Sequence, residues 1–500
     1  MRGPAKHLTK GVAIYGAGDA IMQVVNFSLL YVYVHYNLLT LADYGALAVL
    51  LSVEAFAKVI NRWGLDGAFM RFYHDRDEGA PRRRMASTIF WFLVAANGLI
   101  LATVLTASAW LSPIVKLDPN YLTAFRLMFV NIFLISFTFF PFQIMRLQNA
   151  SLAYSGYTFA RTVGTVVLRI VLVIGLRMGI TGVYLSDLLV TIVLLPLLWR
   201  WFRPVAAFLF SSDELKQALR FGLPRLPHGI AQQYLESGPK LMLGRQVSDT
   251  ALGVYQNGAT LGTAVRFFTS AFETAWAPFY YATSRQPGAK QIFGKMATYG
   301  IAVLILLVAG TTAVARDVIL LILSHDYLQA LPVVPTIAVA MALQGTYLLT
   351  SIGLNLTSRT EFYPASTLTA AGVGFLAGLW LIPRYGVAGA ATTVFLSYLT
   401  QLVVAFTFAQ RFYPITYEVG RLLRLVLAGS IAAFVGLRLL PPMAPWLGVL
   451  ARGSTVVGLY AGLLWLTGFF RPTERAFLRE MIGRLRRRTS GPRTLPSDDL

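Results

Sequence analysis

Charged and amide side chains recur at helical spacing inside otherwise apolar stretches of this chain. Glu54, Lys58 and Asn61/Arg62 fall on one helix face. Arg225, His228, Gln232, Glu236 and Lys240 advance in steps of three and four, as do Thr263, Arg266, Ser270 and Glu273. Asp19, Gln23 and Asn26 share a further face, and Arg161, Thr165 and Arg169 another. An ionisable group at bilayer depth is costly, so it faces a cavity or a partner. Cations so placed suit an anionic headgroup such as a pyrophosphate, because their N–H donors match phosphate oxygens. The substrate-binding candidates are therefore Lys58, Arg266, Arg62, Arg225, Lys240, Arg161 and Arg169. Asp19, Glu54, Glu236 and Glu273 are the candidates for carrying a coupling proton or ion. A plainer role stands beside each. Glu54–Lys58 and Glu236–Lys240 are i,i+4 pairs and could be structural. Arg62 and Arg225 could snorkel from helix ends, and His228 suits helix packing.

The elements that must carry these residues are membrane helices. The chain has 500 residues, 56% of them hydrophobic and 13% charged. Its long apolar runs describe an all-α polytopic membrane protein. Fourteen segments near the ~20-residue length of a bilayer crossing are expected. They lie at 12–35, 43–62, 86–110, 121–145, 155–177, 181–202, 219–242, 250–281, 295–321, 332–356, 362–383, 387–410, 421–440 and 446–470. The basic N-terminus precedes an apolar run without a small-residue cleavage pattern, which reads as a retained first helix. Arg203 to Arg220 reads as an interfacial amphipathic connection, and the chain beyond Thr489 as a disordered end.

The formal charge of +21 suggests either an anionic partner or membrane topology. With fourteen helices and both termini cytoplasmic, 30 of the 43 lysines and arginines fall on the cytoplasmic side. Eight fall outside, and five lie within helices: Lys58, Arg126, Arg161, Arg169 and Arg266. That is a positive-inside distribution, and it leaves no need for nucleic acid to explain the charge. Cysteine is absent, as are a Walker loop, HExxH and GxSxG. No catalytic residue, metal site, cofactor or enzymatic activity is expected.

A faint repeat organises the chain. Leu41-Ala42-Asp43-Tyr44-Gly45 is echoed by Asp249-Thr250-Ala251-Leu252-Gly253, with Gly253 208 positions after Gly45. Gly179-Ile180-Thr181-Gly182-Val183 is echoed by Gly386-Val387-Ala388-Gly389-Ala390. Two halves in the same direction imply a pseudo-two-fold axis along the membrane normal. The expected plan is a six-helix bundle (1–202), a cytoplasmic linker (203–218), a second six-helix bundle (219–411), two extra helices (412–470) and a basic tail (471–500). The offset also places Arg266 opposite Lys58, one cation on each wall of a central cavity.

Leu41-Ala42-Asp43-Tyr44-Gly45, Gly64 to Tyr73, Leu219 to Pro227 and above all Leu381-Ile382-Pro383-Arg384-Tyr385-Gly386-Val387-Ala388-Gly389 stand in a telling order. Over roughly residues 8–425 the chain resembles the lipid-linked oligosaccharide flippases (Wzx-type) of the multidrug/oligosaccharidyl-lipid/polysaccharide (MOP) exporter superfamily. The resemblance implies a MATE/flippase-like fold and transport of an undecaprenyl-pyrophosphate-linked glycan across the bacterial cytoplasmic membrane. It implies membrane lipids and a glycan polymerase or other assembly proteins as partners. The sequence departs from the family twice. An acid–cation pair is reduced to Lys240 after Pro239, and two asparagines four apart are replaced by Gly374 and Gly378. A multidrug cation antiporter of the same superfamily is the alternative, disfavoured by the cationic lean of the candidates. A membrane glycan polymerase or ligase would need longer outer loops, and a non-transporting scaffold would not need the cation pair.

Overall fold

A computed structural model of the protein describes residues 38–472 and 474, without 116, 149, 285, 323 and 324. The segment expected at 12–35, with Asp19, lies outside the described residues. Regular structure among the described residues is helical throughout. The N-terminal set comprises α1 (Leu41–Ile60), α2 (Leu65–Asp75), α3 (Ala80–Leu111), α4 (Leu122–Ile135), α5 (Phe139–Leu147), α6 (Ser151–Arg169) and α7 (Gly179–Phe202). A connecting helix α8 (Ser212–Gly222) leads to α9 (Leu226–Gln246), α10 (Asp249–Gly262), α11 (Arg266–Thr283), α12 (Ala289–Ile322), α13 (Val333–Thr350) and α14 (Ile352–Leu356). Then come α15 (Phe362–Phe412), α16 (Val419–Arg438) and α17 (Pro445–Leu466).

Nine of the described helical spans are long and apolar enough to cross a membrane, so this is a multi-pass membrane protein. One of the nine, α15, is two arms. The backbone leaves the helical region at Gly386, where φ is +53°. A Cβ on Gly389 would lie 2.2 Å from the Leu381 carbonyl oxygen, and one on Gly374 would lie 2.1 Å from Ser397 Oγ. Gln401 Nε2 also donates to Thr367 Oγ1 at 3.1 Å. These pairings run antiparallel, so the chain reverses at Gly386, and small residues let the arms close. The helices expected at 362–383 and 387–410 are these two arms.

The repeat is visible in backbone detail. Gly179 opens α7 with φ +54°, matching Gly386 207 residues later. Thr40 and Ser248, 208 apart, cap α1 and α10 by accepting from Asp43 N and Ala251 N. Each capped helix is followed by a break, at Asn61–Gly64 in one case and Thr263–Val265 in the other.

Two expected segments are corrected. The stretch at 219–242 does not begin a helix at 219. Leu219–Gly222 completes α8, Leu223–Arg225 forms a tight 3-10 turn, and α9 starts at Leu226. Pro224 and Pro227 sit in the first turns of these two elements, where a missing N–H costs nothing. For the same reason the connecting helix runs past 218. Its start is fixed by Ser211, whose side chain accepts from Glu214 N, and Arg76 pairs with Glu214 at 3.0 Å to hold it against α2.

The apolar cores show how the sets join. Leu50 and Ala57 of α1 pack in one cluster with α4 and α7, while Ala48 and Val49 pack with α9, α10 and α13. α1 is thus buried on two flanks and lies between the two sets. α16 and α17 pack on α12 through Ala309, Ala313, Leu425, Ala432 and Val456. Arg452 is buried in α17, with Nε 2.9 Å from Asp317 Oδ2 of α12. It also donates to the Gly436 carbonyl at 3.2 Å.

Candidate functional site

Most of the candidate charges lie on α1, α9 and α11, which are absent from the nine apolar spans yet contribute to the central core, whereas Arg161 and Arg169 lie on α6, which is one of the nine. A helix can carry charge at that depth only where protein or a cavity replaces lipid.

Lys58 lies in the last turn of α1, where the free carbonyls favour a cation. Its Nζ is 2.6 Å from Glu54 Oε1, and Glu54 is buried. Together with Arg62 and Gln233 of α9 they line a cavity of about 330 Å³. Arg62 Nη1 is 3.8 Å from Asp66 Oδ2, and its side chain is half exposed.

Arg266 sits on the other side of α9. It is the first residue of α11, and its backbone N–H bonds back into the tight turn Thr263–Val265. Glu236 accepts from Arg266 Nη2 at 3.0 Å. This pair borders two cavities. One, of about 140 Å³, contains Lys240, Tyr255 and Thr263. The other, of about 510 Å³, contains His228, Gln232, Ser270 and Glu273. Gln232 is fixed in turn by Gln401 Nε2, which donates to its Oε1 at 3.3 Å. Glu236 therefore pairs across helices with Arg266 and not with Lys240 along its own helix. Lys240 forms no hydrogen bond or ion pair among the described residues.

The candidates thus form two groups. Glu54, Lys58 and Arg62 line one cavity, and Glu236, Lys240, Arg266 and Glu273 line the other two. Lys58 and Arg266 share no cavity among the described residues, because α9 stands between them, with Gln233 facing one and Gln232 and Glu236 the other. Arg225 is exposed and stacks on Phe221, with Cζ 4.2 Å from the ring centre. Arg169 pairs with Asp187 of α7 at 3.1 Å, just before the wide helical turn Ile170–Gly175. Arg161, on the same helix, makes no ion pair among the described residues.

Sequence reasoning missed Asp187, Asp317 and Arg452. Asp187 and Arg452 are lone charges in apolar segments and Asp317 follows Arg316 in another, which was the available signal, but none recurs at helical spacing with other polar groups. At the two glycines that stand for asparagines, the space is filled by α9. A Cβ on Gly374 would meet the Tyr234 ring at 3.3 Å, and one on Gly378 would meet Met242 at 2.9 Å. Tyr234 donates its hydroxyl to Met242 Sδ at 3.2 Å.

What this arrangement can do is bind. It offers cavities of about 330 and 510 Å³, edged by Lys58 and Arg266, each of which is held by a carboxylate on its own or a neighbouring helix. Among the described residues no group of three or more His, Asp or Glu could hold a metal ion.

Comparison with known proteins agrees with this architecture. Residues 37–332 match the model of a family described as polysaccharide biosynthesis protein. A structure of the lipid II flippase MurJ, in an inward closed conformation, is similar with a TM-score of 0.74 at 11% identity, covering 94% of this chain and 100% of that one. An inward-facing multidrug resistance MATE family transporter of the MOP superfamily gives 0.57 at 15% identity, covering 78% of this chain and 94% of that one. A mutant of the Vibrio cholerae MATE transporter VcmN gives 0.54 at 13% identity, covering 81% and 98%. A search of the curated proteins finds no match by sequence. With the family model spanning more than half its length and this fold around a polar centre, the chain belongs to the polysaccharide biosynthesis protein family and is built on the fold of the MOP-superfamily flippases and transporters.

Proposed function

We propose that the protein is a transporter, and that it flips an undecaprenyl-pyrophosphate-linked oligosaccharide across the bacterial cytoplasmic membrane by alternating access. The observation that carries this is the placement of Lys58 and Arg266. They stand 208 residues apart in a chain with a 208-residue repeat, both line cavities, and both flank the break that follows a capped helix. A pyrophosphate and its first sugars are the part of the cargo that hydrocarbon rejects. Cations along α1, α9 and α11 give that part a path, while the polyprenyl chain stays in lipid. Rocking of the two sets about α9 would bring the separate cavities to either side in turn. With the termini cytoplasmic, the basic loops face the side on which lipid-linked precursors are made.

The test is export of glycan in cells. Lys58→Ala and Arg266→Ala should each abolish surface glycan while the protein still inserts at normal levels. Normal surface glycan in both variants would overturn the assignment of the cavities.

A second reading has one observation in its favour. Glu54, Glu236 and Glu273 put carboxylates in every one of these cavities, which suits cationic drugs. Drug accumulation measured in the same cells separates the two, since a drug exporter would lower it whether or not glycan precursors are present.

A further inference from the structure

Lys240 lines the smallest of the three cavities above and makes no hydrogen bond or ion pair among the described residues. That cavity, of about 140 Å³, lies between α9, α10, α11, α13 and the second arm of α15. Ligand pockets run to ~300–1,000 Å³, so this one takes a few waters and no sugar pyrophosphate. Lys240 is therefore set apart from the space a cargo needs. The wall of its cavity carries the Glu236–Arg266 pair, which also borders the larger cavity of about 510 Å³. An anion in the larger cavity meets Arg266, while Lys240 faces the smaller one.

Charge decides what these three groups can do. Glu236 offers one negative charge to two cations, Arg266 across the helices at 3.0 Å and Lys240 one turn along α9. The other titratable groups that face Lys240 are Tyr255 of α10 and Tyr398 of α15, both buried. α13 contributes only Ile337 and Met341, and no described residue of α1 lines this cavity. Glu273 lies in the larger cavity, so Lys240 has no second carboxylate to turn to. A guanidinium keeps its charge, whereas a lysine amine can give up its proton. A charge buried without a partner is costly. While Arg266 holds Glu236, the free amine is the form of Lys240 that avoids this cost. When an anionic headgroup takes Arg266, Glu236 is released, and the ammonium form gains a counter-charge. The cavity accommodates both forms. Tyr398 and Gln256 line it, and Tyr398 Oη and Gln256 Oε1 are buried without a hydrogen bond among the described residues. A phenol hydroxyl donates to an amine or accepts from an ammonium, and the amide oxygen accepts from either.

We propose that Lys240 carries the coupling proton: a headgroup that displaces Glu236 from Arg266 turns Glu236 to Lys240, whose Nζ takes up one proton from solvent. One negative charge enters the larger cavity and one positive charge appears in the smaller, so the site stays balanced. The identity of the headgroup as a polyprenyl pyrophosphate rests on the flippase reading above.

The full-length protein in phosphatidylcholine nanodiscs tests this, through the dissociation constant of a fluorescent polyprenyl pyrophosphate followed from neutral to mildly alkaline pH. Uptake of one proton on binding weakens wild-type affinity by up to about tenfold per pH unit. Lys240→Met and Lys240→Arg should lose that part of the slope yet still bind, because neither side chain can take up a proton and Arg266 is intact. Glu236→Gln should lose it too, because no carboxylate is left to move. The phosphates of the lipid titrate alike in every sample, so the difference in slope from the wild type is the reading. A purely structural lysine would change affinity or stability and leave the slope as it is. Unfolding temperatures identify a variant that fails to fold; if Lys240→Met does so, Lys240→Arg and Glu236→Gln decide. Folded variants that keep the wild-type slope overturn the proposal and leave the flippase reading standing. If the wild type binds no polyprenyl pyrophosphate, both fall.

Discussion

The central residues are cations that the resting protein has already partnered. Lys58 is 2.6 Å from Glu54, and Arg266 is 3.0 Å from Glu236. An anionic headgroup must therefore compete with a carboxylate for each. Hydrogen bonds to charged groups contribute about 1.5–3 kcal/mol, so loss of either cation should weaken headgroup binding about ten- to a hundredfold. Glu54→Gln and Glu236→Gln should act in the opposite direction, raising affinity for a polyprenyl pyrophosphate in nanodiscs, because the competitor is removed and the shape is kept. Unchanged or weaker binding in both variants would show that these pairs are purely structural. Glu236 illustrates how residue types alone mislead. Helical spacing nominates Lys240 as its partner, yet the side chain turns across to α11 and pairs with Arg266.

At the scale of elements, glycine and buried charge set the joints. Gly386→Ala forces a side chain into left-handed backbone and should cost about 1–2 kcal/mol, read as a lower unfolding temperature in detergent. Gly372→Ala, on the first arm of the same hairpin with open space around its Cβ, should change it little. Asp317→Ala strands Arg452 in the packing of α16 and α17 on α12 and should cost about 3–5 kcal/mol. Proteolysis should then release the C-terminal helices first, and uniform resistance would contradict their being held by this pair. Much at this scale was legible in the sequence. The Gly179 and Gly386 echoes mark real turns, and hydropathy finds α3, α7, α12 and α17 because lipid-facing helices must be apolar along their length. What stayed hidden depended on contacts across the chain. The start of α9 shifts from 219 to 226 because Ser211 and the touching backbones of Gly64 and Gly222 define the connecting helix. The separation of Lys58 from Arg266 depends on which face of α9 each meets, and no repeat offset encodes that.

For the whole molecule, the proposed function is movement of a glycan on its lipid, with α9 between cavities that serve the two sides in turn. Charged side chains of α1, α9 and α11 line the cavities between packed helices, which is the distribution a polar path through a bilayer demands. The most direct measurement is flipping itself. Purified protein in proteoliposomes, given a fluorescent polyprenyl-pyrophosphate oligosaccharide in one leaflet, should move it to the other far faster than empty liposomes do, and Lys58→Ala or Arg266→Ala should return the rate to that background. A wild-type rate equal to that of empty liposomes, under conditions where a known flippase moves the same lipid, would contradict the account.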